Sequence, residues 1–245
     1  MFFRRCTSHN THRPSLSLCK PYSSSSPSIA TQERLRALLR ETAQPVAVVT
    51  SRLQSSSSNA TSAAYHGATL SSFSSIAMDP HPLIAFSLRL PSRMATALKS
   101  VDPSAPSHMV VNILSAAQMH TAISFSRVDL HPEPFKHEPY TLTKEGLPML
   151  EGSLGALSCK MVSSWPLHDL ELIEQSLGAK LEAGSEWSGD GVASELFVAR
   201  VVRVEKTVDT EDQSWRTLPL LYHRRTYATT SEMPLADAQR KPQNS

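Results

Sequence analysis

The sequence predicts a mainly β protein built around an antiparallel barrel, with a few short helices. Many short apolar runs of strand-like composition are separated by polar, proline-containing segments, whereas few stretches show helical periodicity. At 245 residues, with 40% hydrophobic and 19% charged residues, the chain is long and apolar enough for one substantial core. We therefore expect one folded domain over residues 33–228.

The first elements are predicted from local patterns. Glu33–Glu41 reads as a short amphipathic helix, with Thr31 as its N-cap and Pro45 beyond its end. Val46–Ser51 is an apolar run of the β type. The serine-rich stretch Leu53–Ala63 lies between two strand-like runs, so we interpret it as a long hairpin loop rather than a linker between domains.

The rest of the domain is dominated by strands. Ser115 is predicted to cap a helix over Ala116–Phe125, residues 131–140 form an irregular excursion, and residues 229–245 form a polar, disordered tail. Further strands are expected at Gly67–Thr69, Leu83–Leu88, His108–Leu114, Gly155–Val162, Leu170–Leu177, Leu196–Thr207 and Leu220–Tyr227.

Residues 1–32 differ in charge from the rest of the chain. They contain no acidic residue, and their basic residues are Arg4, Arg5, Arg13 and Lys20. A basic, serine-rich and acid-free N-terminus is typical of a mitochondrial or plastid transit peptide. We interpret this segment as a disordered presequence and expect the protein in the mitochondrion, in its matrix. A merely disordered tail is the alternative.

Charge and composition argue against several classes of function. The formal net charge of +2 is too small to indicate a nucleic-acid partner. No apolar run approaches the roughly 20 residues that span a bilayer. The histidines lack the spacing of metal ligands, so we predict no metal site, and a hydrolase elbow of the Gly-x-Ser-x-Gly type is absent. We expect Cys159 to fill a small space in the core.

Residues 68–98 carry the pattern that is most informative about function. Hydroxyl side chains cluster in the turn Thr69–Ser75, and a strand then leads to the polar loop Arg89–Arg93, directly before the helix-like segment Met94–Leu98. The donors of the turn suit a polar planar ring. A Ser-Arg pair at a helix start suits a phosphate, because N–H groups, dipole and guanidinium all favour an anion. The pattern predicts a site for a phosphorylated planar cofactor.

Two plainer interpretations of this pattern are open. A serine-rich turn can satisfy its own hydroxyl groups through local hydrogen bonds, and Arg89 and Arg93 can be solvated surface residues. Against the first, the turn lies between ordered strands and contains Phe73 and Ile76, which a flexible serine linker lacks.

Several segments together resemble the flavin reductase-like, FMN-binding split-barrel family, over roughly residues 34–227. The resemblance implies an antiparallel split β-barrel of the Greek-key type. It also implies hydride transfer from NADH or NADPH to FMN, with FAD or riboflavin as alternative flavins. The segments that carry it are Pro45–Thr50, Ala68–Ile76, Asp79–Leu83, Ser87–Arg93, Val111–Ser115 with Gln118 and Phe125, and Pro219–Tyr222.

The same resemblance implies which residues bind the flavin. Hydroxyl residues of the turn would line the ring, and the loop after the next strand would hold the phosphate. Asn112 and Gln118 would lie near the ring or the ribityl chain, and Ser115, first a helix cap, is a secondary site residue. No side chain receives an acid or base role, because the ring chemistry belongs to the flavin. The predicted cofactor-binding residues are Thr69, Ser71, Ser72, Ser74, Ser75, Arg89, Ser92, Arg93, Asn112, Ser115 and Gln118.

The family further implies a homodimer and a monooxygenase or other acceptor for the reduced flavin. One departure matters. Many relatives carry Gly-Asp-His before their penultimate strand, on the nicotinamide side, whereas this chain reads Val-Ala-Ser-Glu at Val192–Glu195. The alternative function is therefore a flavin-binding protein without reductase turnover, acting as a carrier, sensor or assembly factor. A pyridoxamine-phosphate-oxidase type of enzyme ranks last, because its basic cluster could only be His223–Arg225.

Overall fold

The computed structural model describes residues 27–53, 65–127, 129–167, 193–205 and 214–231. Some predictions of the sequence analysis lie outside these residues. They are the presequence as far as residue 26, most of the hairpin loop at residues 53–63, the strand at residues 170–177, the segment 189–192 and the tail beyond residue 231.

The first described element is the helix α1 (Pro27–Arg40). Residues 27–32, which we assigned to a disordered presequence, are therefore helical. Thr31 lies inside the helix, so its prediction as an N-cap is wrong. The stretch after Pro27 contains no helix breaker, and a proline is tolerated in the first turn, where its missing N–H would have no partner.

Short strands make up most of the remaining described residues. The helices that follow α1 are α2 (Arg93–Lys99), α3 (Met119–Ser126) and α4 (Ser214–Thr217), with 3₁₀ turns at Ala116–Gln118 and Pro134–Lys136. The strands are β1 (Gln44–Pro45), β2 (Ala47–Arg52), β3 (Tyr65–Leu70), β4 (Ser74–Ala77), β5 (Leu83–Leu90), β6 (Met109–Ile113), β7 (Tyr140–Leu142), β8 (Pro148–Leu150), β9 (Gly155–Pro166), β10 (Ala193–Glu205), β11 (Leu221–His223) and β12 (Thr226–Ala228).

Seven of these strands form one sheet in the order β3-β2-β6-β9-β10-β5-β4. Every pairing in the sheet is antiparallel. Two smaller sheets, β1-β11-β12 and β7-β8, complete the described strands. This half-barrel with a few short helices confirms the predicted fold class.

The core lies against the inner face of the large sheet. Phe86 on β5 and Phe197 on β10 are directly paired across the strands, and their rings stack with centroids 5.5 Å apart. Both side chains are almost fully buried. Such a pair adds about 0.5–1.5 kcal/mol beyond the burial of its apolar area. The pair helps to hold β5 and β10 in register. Residues of both strands also line the candidate site.

A glycine sets the distance between α3 and the sheet. A Cβ atom added to Gly67 on β3 would lie 2.6 Å from the ring of Phe125 on α3, closer than real side chains approach. Any larger residue at this position would therefore push α3 away from β3. Because both residues also line the candidate site, this contact fixes the width of one of its walls.

The last predicted strand, Leu220–Tyr227, is wrong in detail. The chain instead forms a hairpin, β11–β12, with a turn at Arg224 and Arg225, whose φ angles are 49° and 65°. Two adjacent positive φ angles are those of a tight hairpin turn, which glycine or asparagine usually supplies. Because arginine is unusual at such positions, the sequence did not indicate this turn. Strand β4 was also missed, because its serines were read as part of a turn.

Candidate functional site

A cavity of about 760 Å³ opens between β3, β5 and the start of α2. The turn after β3 and the end of α3 close its other sides. Its lining residues are His66, Gly67, Ala68, Thr69, Leu70, Ser71, Ser72, Ser87, Leu88, Arg89, Pro91, Ser92, Arg93, Met94, Phe125, Ser126 and Ser194. The cavity therefore gathers six predicted site residues from two separate segments: Thr69, Ser71, Ser72, Arg89, Ser92 and Arg93.

The lining of this cavity is cationic. Arg89 and Arg93 both line it, and no aspartate or glutamate is among the lining residues. His66 lies in the same wall, and its pKa is lowered from the ordinary value by burial and, to a smaller extent, by the positive charge of Arg93. An anionic group is the complement of such a lining.

Ser92 begins α2 as its N-cap. Its Oγ accepts the N–H of Ala95 at 3.2 Å, and its carbonyl oxygen accepts the N–H of Thr96 at 3.1 Å. Part of the hydrogen-bonding capacity that we expected to be free for a phosphate is thus used within the helix start. The hydroxyl proton of Ser92 and the guanidinium of Arg93 make no hydrogen bond or ion pair with the described residues. These groups, rather than the short helix itself, are available to an anion.

The hydroxyl groups of the turn after β3 divide into bound and free ones. Thr69 Oγ1 donates to the carbonyl oxygen of Ala122 at 2.7 Å, which ties β3 to α3. Ser72 Oγ accepts the N–H of Ser87 at 2.9 Å and donates to the carbonyl oxygen of the same residue at 3.2 Å. Ser71 is exposed, and its hydroxyl has no hydrogen bond within the described part of the chain. Ser71 is therefore the hydroxyl most open to a ligand.

Two predicted residues of the same segment lie away from the cavity. Ser74 and Ser75 belong to β4, the edge strand of the large sheet, where they pair with Ala85 and Ile84. Both are exposed, and Ser74 Oγ donates to the carbonyl oxygen of Ser75 at 3.2 Å. The structure does not bring them to the lining, because the chain turns into β4 after Ser72.

Asn112 is fully buried on β6 and also lies outside the cavity lining. Its side-chain amide donates to the carbonyl oxygen of Val48 at 3.0 Å and to Thr50 Oγ1 at 3.2 Å. Its side-chain oxygen accepts the N–H of Leu150 at 2.9 Å. The side chain thus joins β6 to β2 and to β8. These contacts explain why a polar residue lies at position 112, which we had predicted to bind the flavin.

Ser115 and Gln118 form a similar internal connection. Gln118 Oε1 accepts the N–H of Ser115 at 3.1 Å, and its Nε2 donates to the carbonyl oxygen of Glu151 at 2.8 Å. Both residues are buried and neither lines the cavity. The helix does begin after Ser115, as predicted, although its first turn is a 3₁₀ turn.

Sequence reasoning missed His66 and Ser194 as lining residues. His66 directly precedes the Gly-Ala-Thr segment and could have been found from the alternation of β3, which points it to the same face as Ala68. Ser194 pairs with Arg89 across β10 and β5. The next residue, Glu195, is buried and lies 2.9 Å from Lys99 at the end of α2. This ion pair connects the end of α2 to β10.

Cys159 lies outside the cavity lining. Burial raises the pKa of the Cys159 thiol to about 12, which fits a core residue and argues against a nucleophile. Within residues 27–53, 65–127, 129–167, 193–205 and 214–231, no cluster of potential metal ligands is present. Among the helices of these segments, none is long and apolar enough to cross a bilayer.

A comparison with curated proteins finds a flavin reductase among the relatives of this chain. A curated NADH-dependent flavin reductase from a Rhodococcus species is 28% identical over 104 residues, which is 42% of this chain and 53% of that protein. This chain thus matches about half the length of that relative.

Solved flavin reductases share the fold. The styrene monooxygenase flavin reductase of Pseudomonas putida superposes with a TM-score of 0.55 at 23% identity, over 82% of this chain and 99% of that one. A Streptomyces globisporus NADH:FAD oxidoreductase in complex with NAD and FAD fragments superposes with a TM-score of 0.55 at 18% identity, over 91% of this chain and 100% of that one. The family model of the flavin reductase-like domain matches residues 39–231, so the chain belongs to this family.

Proposed function

We propose that this protein is an FMN-binding flavin reductase that transfers a hydride from NADH or NADPH to the flavin. One observation carries the proposal. The cavity gathers the free hydroxyl of Ser71 with Arg89 and Arg93, and none of its lining residues is acidic. Membership of the flavin reductase-like family and the similarity to a curated NADH-dependent flavin reductase support the same function.

The residues present fit a flavin mononucleotide. A volume of about 760 Å³ lies in the range of pockets for ligands of this size. A planar polar ring needs hydrogen-bond partners along one edge, which Ser71 and the backbone of the turn after β3 offer. A phosphate needs positive charge at the other end, which Arg89 and Arg93 offer. The phosphate preference favours FMN over riboflavin, and we propose FMN as the main flavin, with FAD as the alternative.

When bound, the flavin supplies the hydride acceptor of the reaction. The protein's own contribution is positioning. Ser92 and Arg93 would hold the phosphate, Ser71 would orient the ring, and the contact between Gly67 and Phe125 keeps the wall of the cavity in place. No side chain has to move a proton for these roles. The absence of the family's Gly-Asp-His from Val192–Glu195 therefore removes no acid or base from the proposed reaction.

The experiment that tests the function measures flavin binding and turnover separately. Quenching of flavin fluorescence gives the Kd for FMN, FAD and riboflavin, and the loss of NADH or NADPH absorbance with each flavin gives the turnover. We expect FMN to bind more tightly than riboflavin and NADH to be consumed steadily. Tight FMN binding without consumption of either nucleotide would favour the alternative, a flavin-binding protein without reductase turnover.

We further propose a homodimer. Large apolar side chains on and beside β4, β9 and β10 are exposed to between 44% and 67%, and exposed apolar surface favours association with a partner. They are Ile76, Met78, Val162, Trp165 and Val204. Light scattering of the wild type and of Val204→Lys tests the dimer. A wild-type monomer that still binds FMN tightly would contradict it.

The partner and the location are proposals of the same kind. A styrene monooxygenase flavin reductase is among the similar structures, so we propose that the reduced flavin passes to a monooxygenase or a comparable acceptor. The acid-free basic N-terminus supports a mitochondrial protein. Imaging of a fusion with the full N-terminus, compared with one that starts at Ser23, tests the location.

A further inference from the structure

The proposed flavin cavity runs along one edge of the large sheet. β3 is the last strand in the order of that sheet, next to β2. Seven consecutive residues, His66–Ser72, line the cavity. Because neighbouring residues of a strand point to opposite faces, an unbroken run of lining residues means that the cavity follows the edge of β3. His66 and Leu70 are separated by roughly 13 Å of extended strand. The cavity is therefore elongated, with His66 towards one end and the hydroxyl turn towards the other.

The facing wall also leads from hydroxyl groups to positive charge. Ser87 on β5 donates its N–H to Ser72 Oγ at 2.9 Å, so this part of β5 lies at the hydroxyl end. The chain then continues along β5 and the following loop to Arg93, the first residue of α2. Burial lowers the pKa of His66, and Arg93 lies close enough for its charge to lower that pKa further. We call His66 and Arg93 the basic end of the cavity.

The imidazole of His66 has no hydrogen bond or ion pair with the described residues. The charged groups that line the cavity with it are Arg93 and Arg89, and both are positive. Its partner across β2 is Ser51, and the lining residues from α3 and β10 are likewise uncharged. Positive charge without a carboxylate beside a titratable ring favours an anion at this end, because an anion would stabilise the protonated ring.

We propose that the phosphate of the flavin lies between His66 and Arg93, and that His66 takes up a proton when this phosphate binds. The proposal rests on the proposed flavin reductase function and deepens it, because it names a phosphate-binding residue outside the Arg89–Arg93 loop. In the free protein, burial and the charge of Arg93 disfavour the protonated ring. A phosphate monoester carries about 1.5 to 2 negative charges at pH 7 and would reverse this effect.

The phosphate itself titrates in the same pH range as a histidine. The second pKa of a phosphate monoester is about 6, and positive charge at the site favours its dianion, so binding also releases protons from the ligand at acidic pH. The pH dependence of the wild type alone therefore combines two opposite effects. His66→Gln removes the titrating ring and keeps a polar side chain. The difference between the wild type and this variant isolates the contribution of His66.

The test is isothermal titration of the full chain with FMN between about pH 6 and pH 8, in two buffers of different ionisation enthalpy. These data give the Kd and the number of protons taken up. We expect the wild type to take up more protons per FMN than His66→Gln. The ratio of the variant's Kd to the wild-type Kd should rise at least about threefold from the alkaline to the acidic limit.

Two controls locate the effect at the phosphate. Riboflavin, which lacks the phosphate, should show no difference in proton uptake between the wild type and His66→Gln. His81→Gln, which replaces an exposed histidine outside the cavity lining, should behave like the wild type with FMN. If His66→Gln is poorly folded by circular dichroism, His66→Asn provides the same comparison.

Equal proton uptake by the wild type and a folded His66 variant would overturn the proposal. So would a difference of the same size with riboflavin, since His66 would then act on the ring or the ribityl chain. Tight FMN binding without the proton difference would leave the proposed flavin site standing and remove His66 from it. A wild type that binds no FMN at any pH would instead overturn the proposed function, and this proposal with it.

Discussion

The cavity rim and the buried connection around Asn112 contain the same kinds of polar residue but use them differently. At the rim, the side chains of Ser71, Arg89 and Arg93 make no hydrogen bond or ion pair with the described residues. In the interior, both amide atoms of Asn112 and of Gln118 are bound to other parts of the fold. Polar groups that the fold leaves free can bind a ligand, whereas those that it has already paired stabilise the fold.

The difference teaches how a resemblance should be carried over to a new chain. A family pattern marks positions, but it does not separate residues that contact a ligand from residues that stabilise the fold around the site. The hydrogen-bond partners of each side chain make that separation. The rim residues should therefore control flavin affinity at little cost in stability, and the interior residues should do the reverse. The following predictions test this division.

The largest effect is expected for Asn112→Ala. The change removes hydrogen bonds to Val48, Thr50 and Leu150 and leaves buried backbone groups unpaired. The free energy of unfolding should fall by about 2–4 kcal/mol. Urea unfolding measures this change, and the Kd for FMN of the folded variant should stay within twofold. A large loss of FMN affinity with normal stability would instead show that Asn112 contacts the flavin.

Arg93→Ala should show the opposite behaviour. Loss of a charge-assisted contact to the phosphate should weaken FMN binding by about 1.5–3 kcal/mol, while unfolding is nearly unchanged. Fluorescence quenching measures the Kd for FMN and for riboflavin, which lacks the phosphate and should lose little. The matched control is Arg52→Ala, an exposed arginine outside the cavity. Equal losses for both flavins would show that Arg93 does not bind the phosphate.

A smaller effect is expected from the titration of His66. Its pKa is lowered in the folded protein by burial and by Arg93, so the unfolded chain takes up this proton first as the pH falls. Stability linked to His66 is therefore present above its ordinary pKa of 6.5 and is lost as the pH falls through the folded-state value. His66→Gln should flatten the stability profile on the acid side of pH 6.5, the ordinary pKa of histidine. An unchanged profile in thermal unfolding would refute this.

The smallest effect is expected at β4. Ser74 and Ser75 were predicted to bind the flavin, but they lie outside the cavity lining, on the edge strand. The double variant Ser74→Ala/Ser75→Ala should leave the Kd for FMN within twofold. Ser71→Ala, the matched change inside the cavity, should weaken FMN binding by about 1 kcal/mol. A tenfold loss in the double variant would show that the ligand reaches β4.

The sequence predicted the fold class, and it predicted six of the residues that line the cavity, because these features depend on local patterns. The alternating strands, the hydroxyl turn and the Arg89–Arg93 loop are each read within a few residues, and β5 brings the last two together. The role of Asn112 could not be read in this way, since its partners are Val48 and Leu150, which are distant in sequence. His66, by contrast, was missed although the alternation of β3 places it on the same face as Ala68.

The hairpin was misjudged for a different reason. Arg224 and Arg225 adopt positive φ angles that their residue type does not indicate, and the contacts of Arg224 to Arg40 and Glu41 help to hold that turn. Tertiary contacts thus decided a local conformation. As a result, the aromatic pair Tyr222 and Tyr227 was predicted as part of one strand, and its place beside the cavity became visible only in the folded chain.

The central claim is most directly tested by anaerobic reduction of the FMN-loaded protein. NADH, and then NADPH, is added without oxygen, and the visible absorbance of the bound flavin is followed. The account predicts that this absorbance bleaches with at least one nucleotide, and that Arg93→Ala bleaches equally once enough FMN is added to load it. Flavin that stays bound and oxidised with both nucleotides would contradict a reductase and leave a flavin-binding protein without turnover.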